Sequence, residues 1–276
     1  MLQNGPRVAV AVRTPGGEIV VQPLVGAGRF ARVDRIPFLR GPFRLYEMLS
    51  LGMRALNLSA QLAYGEEAAG SRWDFLLTVA LAVALVAGGF VALPVYVAGF
   101  VPVTHPVLFN LVEGLIRVSL FLLYLYGISF VGDIRKVFQY HGAEHKVVHA
   151  YEEGAGFDLA AARERSPLHP RCGTAFLLLF VVVAILVFSL LITDSIWLKI
   201  LGRVALLPVV AGVAYELLRY GGRHPQAWWL RPFLLPGLWL QRLTTREPAD
   251  DQLEVAMAAL RYVTDEASGR KAATAA

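Results

Sequence analysis

The sequence predicts a mainly α-helical membrane protein with about four transmembrane helices, and three observations support that class. The 276-residue chain is 56% hydrophobic and only 17% charged, and its mean hydropathy of +0.54 is higher than water-soluble domains usually show. Four separate apolar segments are each long enough to supply the roughly 20 residues that a helix needs to span a bilayer. The basic residues are concentrated on one side of those segments.

These segments divide the chain into five predicted regions. Residues 1–72 form a cytosolic N-terminal region, 73–131 a first transmembrane pair, 132–172 a cytosolic histidine-rich loop, 173–218 a second transmembrane pair, and 219–276 an interfacial segment with a cytosolic C-terminal helix. The individual spans are predicted at 73–101, 107–131, 173–192 and 196–218. The first contains Gly88-Gly89 and Pro94, so we expect it to kink or break.

The distribution of Lys and Arg predicts the orientation of the spans. Nine of these residues lie in 1–72, six in 132–172 and eight after 218, but none in the turn at 102–106. Because cytoplasmic loops carry the excess of basic residues, both termini and the central loop are expected in the cytoplasm of a multi-pass inner-membrane protein. This topology accounts for the net charge of +5, so no nucleic-acid partner is expected. No cleavable signal peptide is recognisable at the N-terminus.

The regions flanking the spans predict a small β-structure and surface helices. Two β-branched runs, at 7–13 and 19–22, surround a Thr-Pro-Gly-Gly-Glu turn and predict a hairpin. Residues 43–64 have apolar positions at helical spacing, which predicts an amphipathic helix that lies on the membrane or packs on the hairpin. Tryptophans and prolines in 225–240 predict an interfacial or re-entrant segment, and a further helix is expected to begin at Asp250-Asp251.

Three of the six histidines stand within nine residues, in segment 141–149. At about 100° per residue, a helix would place His141, Glu144 and His145 on one side, and His149 follows there one turn later. Neutral imidazole is a good zinc ligand, and two histidines four positions apart can hold one ion without distorting a helix. His141 and His145 have this spacing, so we predict a site for a divalent metal, with zinc as the expected ion.

The pattern His141-x-x-Glu144-His145 also matches inverzincin metalloproteases, in which the histidines hold zinc and the glutamate is the general base. Glu144 is therefore the candidate catalytic residue. Four protein ligands would make a closed structural site, whereas three would leave a position for water. Because the second and third spans return both ends of the loop to one membrane surface, the further ligands are sought among three residues: His149, His169 and Cys172.

Two basic residues, Lys146 and Arg171, lie next to these candidate ligands in the sequence. We interpret both as charges that face solvent or lipid headgroups. In a catalytic site they are the candidates to contact an anionic group of the substrate, Arg171 first.

Four ionisable residues fall inside the predicted spans: Glu113, Arg117, Arg203 and Glu216. A charge in hydrocarbon costs about 2.5–3.5 kcal/mol on insertion scales, so we expect these residues to pair. Two acids balance two bases, and Glu113 lies four positions before Arg117 on one helix. The pattern predicts either an ion-pair network that locks the bundle or a polar cavity for the passage of substrate or ions.

Several long, separated motifs together resemble one bacterial family. They are Phe-Gln-Tyr-His-Gly-Ala-Glu-His-Lys at 138–146, His-Pro-Arg-Cys-Gly-Thr at 169–174, Pro236-Gly237, Leu-Gln-Arg-Leu-Thr-Thr-Arg-Glu-Pro at 240–248, Asn110-x-x-Glu113-Gly114-x-x-Arg117 and Tyr215-Glu216. The chain resembles the YqhQ-like family, membrane proteins with a domain of unknown function that are described as predicted metal-dependent enzymes. The resemblance implies a polytopic membrane protein with a histidine-based metal centre and names no substrate. The family usually opens with a Gly-rich segment containing an acidic residue, and this chain begins without it.

The leading functional hypothesis is a metal-dependent hydrolase at the cytosolic membrane face, acting on a lipid, a membrane-embedded peptide or another amphiphile. The alternative is a non-enzymatic transporter, channel or scaffold in which the metal is a structural clip. A third hypothesis is a pH-sensitive or headgroup-binding histidine patch without metal. Membrane lipids are the expected partners, and exposed apolar helix faces favour a homo-oligomer.

Overall fold

The computed structural model describes residues 1–25, 33–65, 87–103, 105–169, 172–193, 196–224 and 231–264, with scattered positions between 73 and 85. Over these residues the chain is mainly helical and carries a small N-terminal antiparallel sheet. The predicted helical class is therefore confirmed. Residues 265–276 lie outside the described part of the chain.

The sheet has three strands in the order β1 (Leu2–Asn4), β2 (Arg7–Arg13) and β3 (Ile19–Pro23). Strands β2 and β3 are the predicted hairpin, and the turn between them is closed by Thr14 N donating to Glu18 O at 2.8 Å. Gly17 adopts φ +87° in this turn, a conformation that favours glycine. Strand β1 is an addition to the prediction, because three residues are too few to show an alternating pattern.

Helix α1 (Arg40–Tyr64) follows a 3₁₀ turn (Val33–Arg35) and has two different apolar faces. One face packs on the sheet, where Ala55 contacts the cluster of Val10 and Val12. The other face is exposed, with Tyr46 and Leu49 each about 60% accessible. Packing on the hairpin and an outward apolar face are thus both present, so the two predicted placements of this helix are compatible with each other.

The predicted spans are represented by four helical regions. A π-helix (Ala87–Ala92) continues into α2 (Leu93–Ala98) at the place where a break was predicted. The other three regions are the helices α3 (Pro106–Ile128), α6 (Gly173–Ser189) and α7 (Ile196–Arg223). Among the described residues, two helical segments are long and apolar enough to cross a membrane: Pro106–Ile128 and Leu201–Gly221. Helix α6 has 17 residues, and much of the first predicted span lies outside the described residues.

The predicted loop at 132–172 is largely helical: α4 (Gly132–Glu152) is followed by the short α5 (Leu159–Arg163). After α7, α8 (Arg231–Thr244) covers part of the predicted interfacial segment, and its Leu240 is fully buried against α3 and α6. Trp228 and Trp229 lie outside the described residues. Helix α9 (Asp250–Thr264) begins at the predicted aspartates, whose charges favour a helix N-terminus.

The two largest apolar cores among the described residues hold most of these elements. In the first, β2, α4 and α9 meet, and Ala143 and Val147 of α4 pack against Met257 and Leu260 of α9. In the second, α6 packs against α7 through residues such as Leu179 and Val210. The histidine segment of α4 belongs to the first core, while the start of α6 belongs to the second. The candidate site therefore forms where the two cores meet.

Candidate metal centre

Helix α4 presents the predicted histidines on one side, as the helical spacing requires. Asp133 in its first turn favours the helix start, and the chain remains helical through His149. The ring centroids of His141 and His145 are 4.4 Å apart. The two side chains therefore lie next to each other, as their spacing predicts.

Cys172 completes a three-residue cluster with these histidines. Its Sγ lies 3.1 Å from Nε2 of His141, and the ligand atoms of His141, His145 and Cys172 all lie within 4.8 Å of one another. In a tetrahedral zinc site, a nitrogen and a sulfur ligand are about 3.5 Å apart, given bonds of about 2.0 and 2.3 Å. Nε2 of His141 and Sγ of Cys172 would therefore need to move apart by only a few tenths of an ångström to bind an ion between them.

Backbone carbonyl groups orient three of the imidazole rings. Nδ1 of His141 lies 2.8 Å from the carbonyl oxygen of Thr244, Nδ1 of His145 lies 2.5 Å from that of Pro167, and Nδ1 of His149 lies 3.1 Å from that of Ser166. A carbonyl can only accept, so each Nδ1 carries a proton and Nε2 is the ring nitrogen that can bind a metal ion, after releasing any proton that it holds. This is the arrangement of metal-ligating histidines, whose second nitrogen is fixed by a hydrogen bond.

The charge state of Cys172 also suits a ligand role. It caps the N-terminus of α6, where its sulfur accepts from Thr174 N at 3.4 Å. Burial alone would raise the pKa of the thiol, but hydrogen bonds from His141 and His145 lower it to about 5. Burial likewise opposes protonation of His141, yet the hydrogen bond to Cys172 raises the pKa of this imidazole above its usual 6.5. Without metal, the thiolate form of Cys172 and the protonated form of His141 therefore stabilise each other.

The low pKa of Cys172 predicts an unusual pH profile for alkylation of the metal-free protein. Because the thiol is already ionised above about pH 5, its reaction rate with iodoacetamide should change less than about twofold between pH 6 and 8 and fall below pH 5. In urea, the unfolded chain should instead show a rise of about tenfold per pH unit in that range. The variant His141→Ala should move the native profile towards the unfolded one. A native rate that already rises tenfold per unit would contradict the thiolate assignment.

His149 and His169 lie beside the three-residue cluster. Their ring centroids are 4.4 Å apart, and the ring of His169 is 5.7 Å from that of His145. Nε2 of His169 is 3.5 Å from a carboxylate oxygen of Glu152. Burial and the neighbouring His149 lower the pKa of His169 to about 4, so this ring is neutral at physiological pH. Both histidines thus remain candidates for a fourth ligand.

Glu144 projects into the cavity that contains this cluster. The cavity has a volume of about 550 Å³, and its lining combines polar residues of the cluster with apolar residues such as Met48, Val148 and Leu260. The carboxylate of Glu144 is paired with the amino group of Met1. A candidate general base and a three-ligand set thus open onto the same space.

The prediction that Lys146 is a solvated charge is wrong. Lys146 is 3% exposed, and its ammonium group donates to the carbonyl oxygen of Arg163 at 2.8 Å and pairs with Glu247. It therefore connects α4 to the segment after α8. Arg171, the other predicted anion contact, lies outside the described residues.

The four predicted intramembrane charges form two groups. Glu113 pairs with Arg117 and with Arg203, whose Nη2 is 2.7 Å from its carboxylate. Glu216 does not join this group: it pairs with Arg40, whose Nε is 2.6 Å from it. The physical reason is distance, because Arg203 and Glu216 are thirteen positions apart on α7, or about 20 Å along the helix axis.

Two positioning groups were missed at the level of sequence. Gln241 is fully buried and binds the backbone of His169 on both sides, accepting from His169 N at 2.8 Å and donating to His169 O at 2.9 Å. Thr244 supplies the carbonyl that orients His141. A buried amide one helical turn before a threonine is a weak signal, since such residues also occur as ordinary helix-end polar groups.

The fold and the site together define a helical protein with a histidine and cysteine cluster that could hold a metal ion. Comparison with known proteins adds a family: residues 36–266 match the family described as "Protein of unknown function (DUF1385)", and the chain belongs to it. It is 37% identical over 246 residues to "Uncharacterized protein YqhQ" of Bacillus subtilis (strain 168), covering 82% of this chain and 76% of that protein. No solved structure matches.

Proposed function

We propose that this protein is a metal-dependent hydrolase in a cell membrane, with its metal centre at the cytosolic face. One observation carries the proposal: His141, His145 and Cys172 converge within 4.8 Å, and Glu144 lines the same cavity. Three protein ligands leave one coordination position open, which is typical of catalytic rather than structural zinc sites.

Each residue of the cluster has a distinct role in this mechanism. His141, His145 and Cys172 would hold the ion, and two imidazoles with a thiolate are a donor set that suits zinc. When bound, zinc would act as a Lewis acid that lowers the pKa of water in the open position towards about 7. Glu144 would accept the proton of that water and return it to the leaving group. The backbone carbonyls of Thr244 and Pro167 would keep both Nε2 atoms directed at the ion.

Membrane association is supported by the apolar helices. Helix α3 and the 201–221 part of α7 have the length and composition of spans, and α6 adds a further apolar helix of 17 residues. With the first predicted span, these would form a four-helix inner-membrane bundle. The abundance of Lys and Arg in 132–172 supports a cytosolic position for the site.

The cavity indicates the class of substrate. Its lining contains apolar residues, which include Met48 of α1 and Leu260 of α9, as well as the polar cluster, so it suits a molecule with a hydrophobic part and a hydrolysable polar part. Helix α1 also exposes an apolar face. We therefore propose a lipid or a membrane-embedded peptide as the substrate.

The variant Glu144→Gln tests this function. Purified zinc-loaded protein should hydrolyse lipid in vesicles of phosphatidylethanolamine and phosphatidylglycerol, with products detected by mass spectrometry. Glu144→Gln should keep its metal, measured by inductively coupled plasma analysis, but turn over at least about 100-fold more slowly, because a general base contributes that much or more.

A matched control lies at the C-terminal end of the same helix. Glu153 is the C-cap residue directly after α4 and pairs with Arg165 at 2.9 Å, so Glu153→Gln should leave both metal content and turnover unchanged. Loss of metal from Glu144→Gln would make Glu144 a ligand and remove this mechanism. Absence of hydrolysis by the zinc-loaded wild type would count against lipids and favour a structural role for the metal.

A further inference from the structure

A second polar cluster lies well away from the metal centre. Glu113 and Arg117 of α3 meet Arg203 of α7, and Glu113 is only 2% exposed. Arg203 binds the carboxylate of Glu113 in a bidentate manner: Nη1 donates to Oε1 at 3.1 Å and Nη2 donates to Oε2 at 2.7 Å. Arg117 contributes a second guanidinium and also donates from Nε to the carbonyl oxygen of Phe90 at 2.9 Å.

Helix α6 shows how far this charge cluster lies from the metal centre. Asn110, one turn before Glu113, has its amide nitrogen 3.5 Å from the carbonyl oxygen of Ser189, the last residue of α6. Cys172 caps the other end of the same helix. A helix of 17 residues is about 25 Å long. The charge cluster and the metal centre therefore stand at opposite ends of α6 and are distinct sites.

The charges in this cluster do not cancel. One carboxylate faces two guanidinium groups, which leaves a net charge of +1 among the described residues. The three side chains are 2%, 18% and 14% exposed, so this excess charge is largely removed from water. An uncompensated buried charge is strongly destabilising, and membrane proteins normally pair such charges.

Two polar atoms also lack partners within the part of the chain that the structure describes. Nε of Arg203 and Oδ1 of Asn110 are both buried and form no hydrogen bond there, and Asn110 is only 6% exposed. A buried donor without a partner costs about 1–3 kcal/mol. The excess charge and the vacant Arg203 donor belong to the same side-chain cluster, so one negatively charged acceptor would compensate both.

We propose that Arg117 and Arg203, held together by Glu113, form a binding site for a phosphate group. Guanidinium groups present planar, fixed donors that match phosphate oxygens, which makes arginine pairs a common phosphate-recognition element. Glu113 holds the two guanidinium groups together when no anion is bound and lowers the charge of the empty site. The phosphate is that of a lipid headgroup or free inorganic phosphate, which share this chemistry.

Thermal unfolding of the purified full-length protein in neutral detergent tests the proposal. Sodium phosphate should raise Tm by about 3 °C more than sodium chloride at equal ionic strength. Arg203→Gln leaves a neutral Glu113 and Arg117 pair, so its phosphate-specific shift should disappear. Glu113→Gln raises the net charge of the cluster to +2, so this variant should be less stable in chloride but show a larger shift in phosphate. An increase in one variant and a loss in the other is a result that simple loss of packing would not produce.

Two further measurements complete the test. Native mass spectrometry with phosphatidylglycerol or diacylglycerol, which lacks phosphate, separates a lipid source from free phosphate. Metal content equal to wild type shows that Arg203→Gln is folded, because the two sites are far apart. Equal phosphate shifts in wild type and Arg203→Gln, or neither a shift nor retained phospholipid in wild type, would overturn the proposal.

Discussion

Replacing Cys172 with serine is expected to abolish metal binding. The thiolate is one of three groups whose ligand atoms converge within 4.8 Å, and a serine hydroxyl at neutral pH is a far poorer ligand for zinc. Metal content after purification without chelator should fall from roughly one equivalent to less than about a tenth. The variant His141→Ala should lose metal to the same extent. Inductively coupled plasma analysis measures both.

The neighbouring histidines supply the matched comparison. His149→Ala and His169→Ala remove imidazoles that lie beside the cluster but outside the three-ligand group. For an open catalytic site, both should retain near-stoichiometric metal. If His169→Ala loses metal as completely as Cys172→Ser, the site has four protein ligands and is structural. If Cys172→Ser retains metal, the ligands are histidines alone and the proposed donor set is wrong.

Replacing Gly142 with alanine is expected to damage both stability and the metal centre. A Cβ atom at this position would lie 2.1 Å from the carbonyl oxygen of Arg246, which is backbone and cannot rotate away. Because Arg246 N donates to Phe138 O at 2.9 Å, the added methyl group would push the segment after α8 away from α4. Overpacking of this kind costs about 1–3 kcal/mol.

The same displacement would move the carbonyl of Thr244 that orients His141. Loss of such a supporting hydrogen bond typically weakens metal affinity about 10–100-fold. Gly132→Ala is the control, since it lies at the start of the same helix and its Cβ would meet nothing within 4 Å. Thermal unfolding and competition with a zinc chelator should separate the two variants. Equal behaviour of both would mean that contact between α4 and this segment does not support the site.

The features that sequence predicted well are local. The histidine pair four positions apart has its geometry fixed by the helix period, so His141 and His145 could be paired without knowledge of the tertiary structure. The hairpin was predicted for a similar reason, because its turn and its β-branched strands are adjacent in the chain.

The features that sequence left open or predicted incorrectly depend on how distant elements dock. The choice of Cys172 beside His141 requires the start of α6 to meet α4, which no local pattern encodes. Lys146 was interpreted as solvated because its partner Glu247 is 101 residues away. Glu216 was grouped with Arg203 on charge balance, although its position on α7 directs it to Arg40. Charge counting shows that partners must exist but does not identify them.

The three backbone carbonyls that orient the imidazole rings make the metal centre a reporter of assembly. The carbonyls of Pro167 and Ser166 come from the segment before α6, and that of Thr244 comes from the end of α8. Since these groups belong to the main chain, no side-chain substitution deletes them, and only a shift in the chain path can withdraw them. The binding energy of an ion held there would thus be shared with the docking of α4, α6 and α8, so that metal affinity and the order of these helices would rise and fall together.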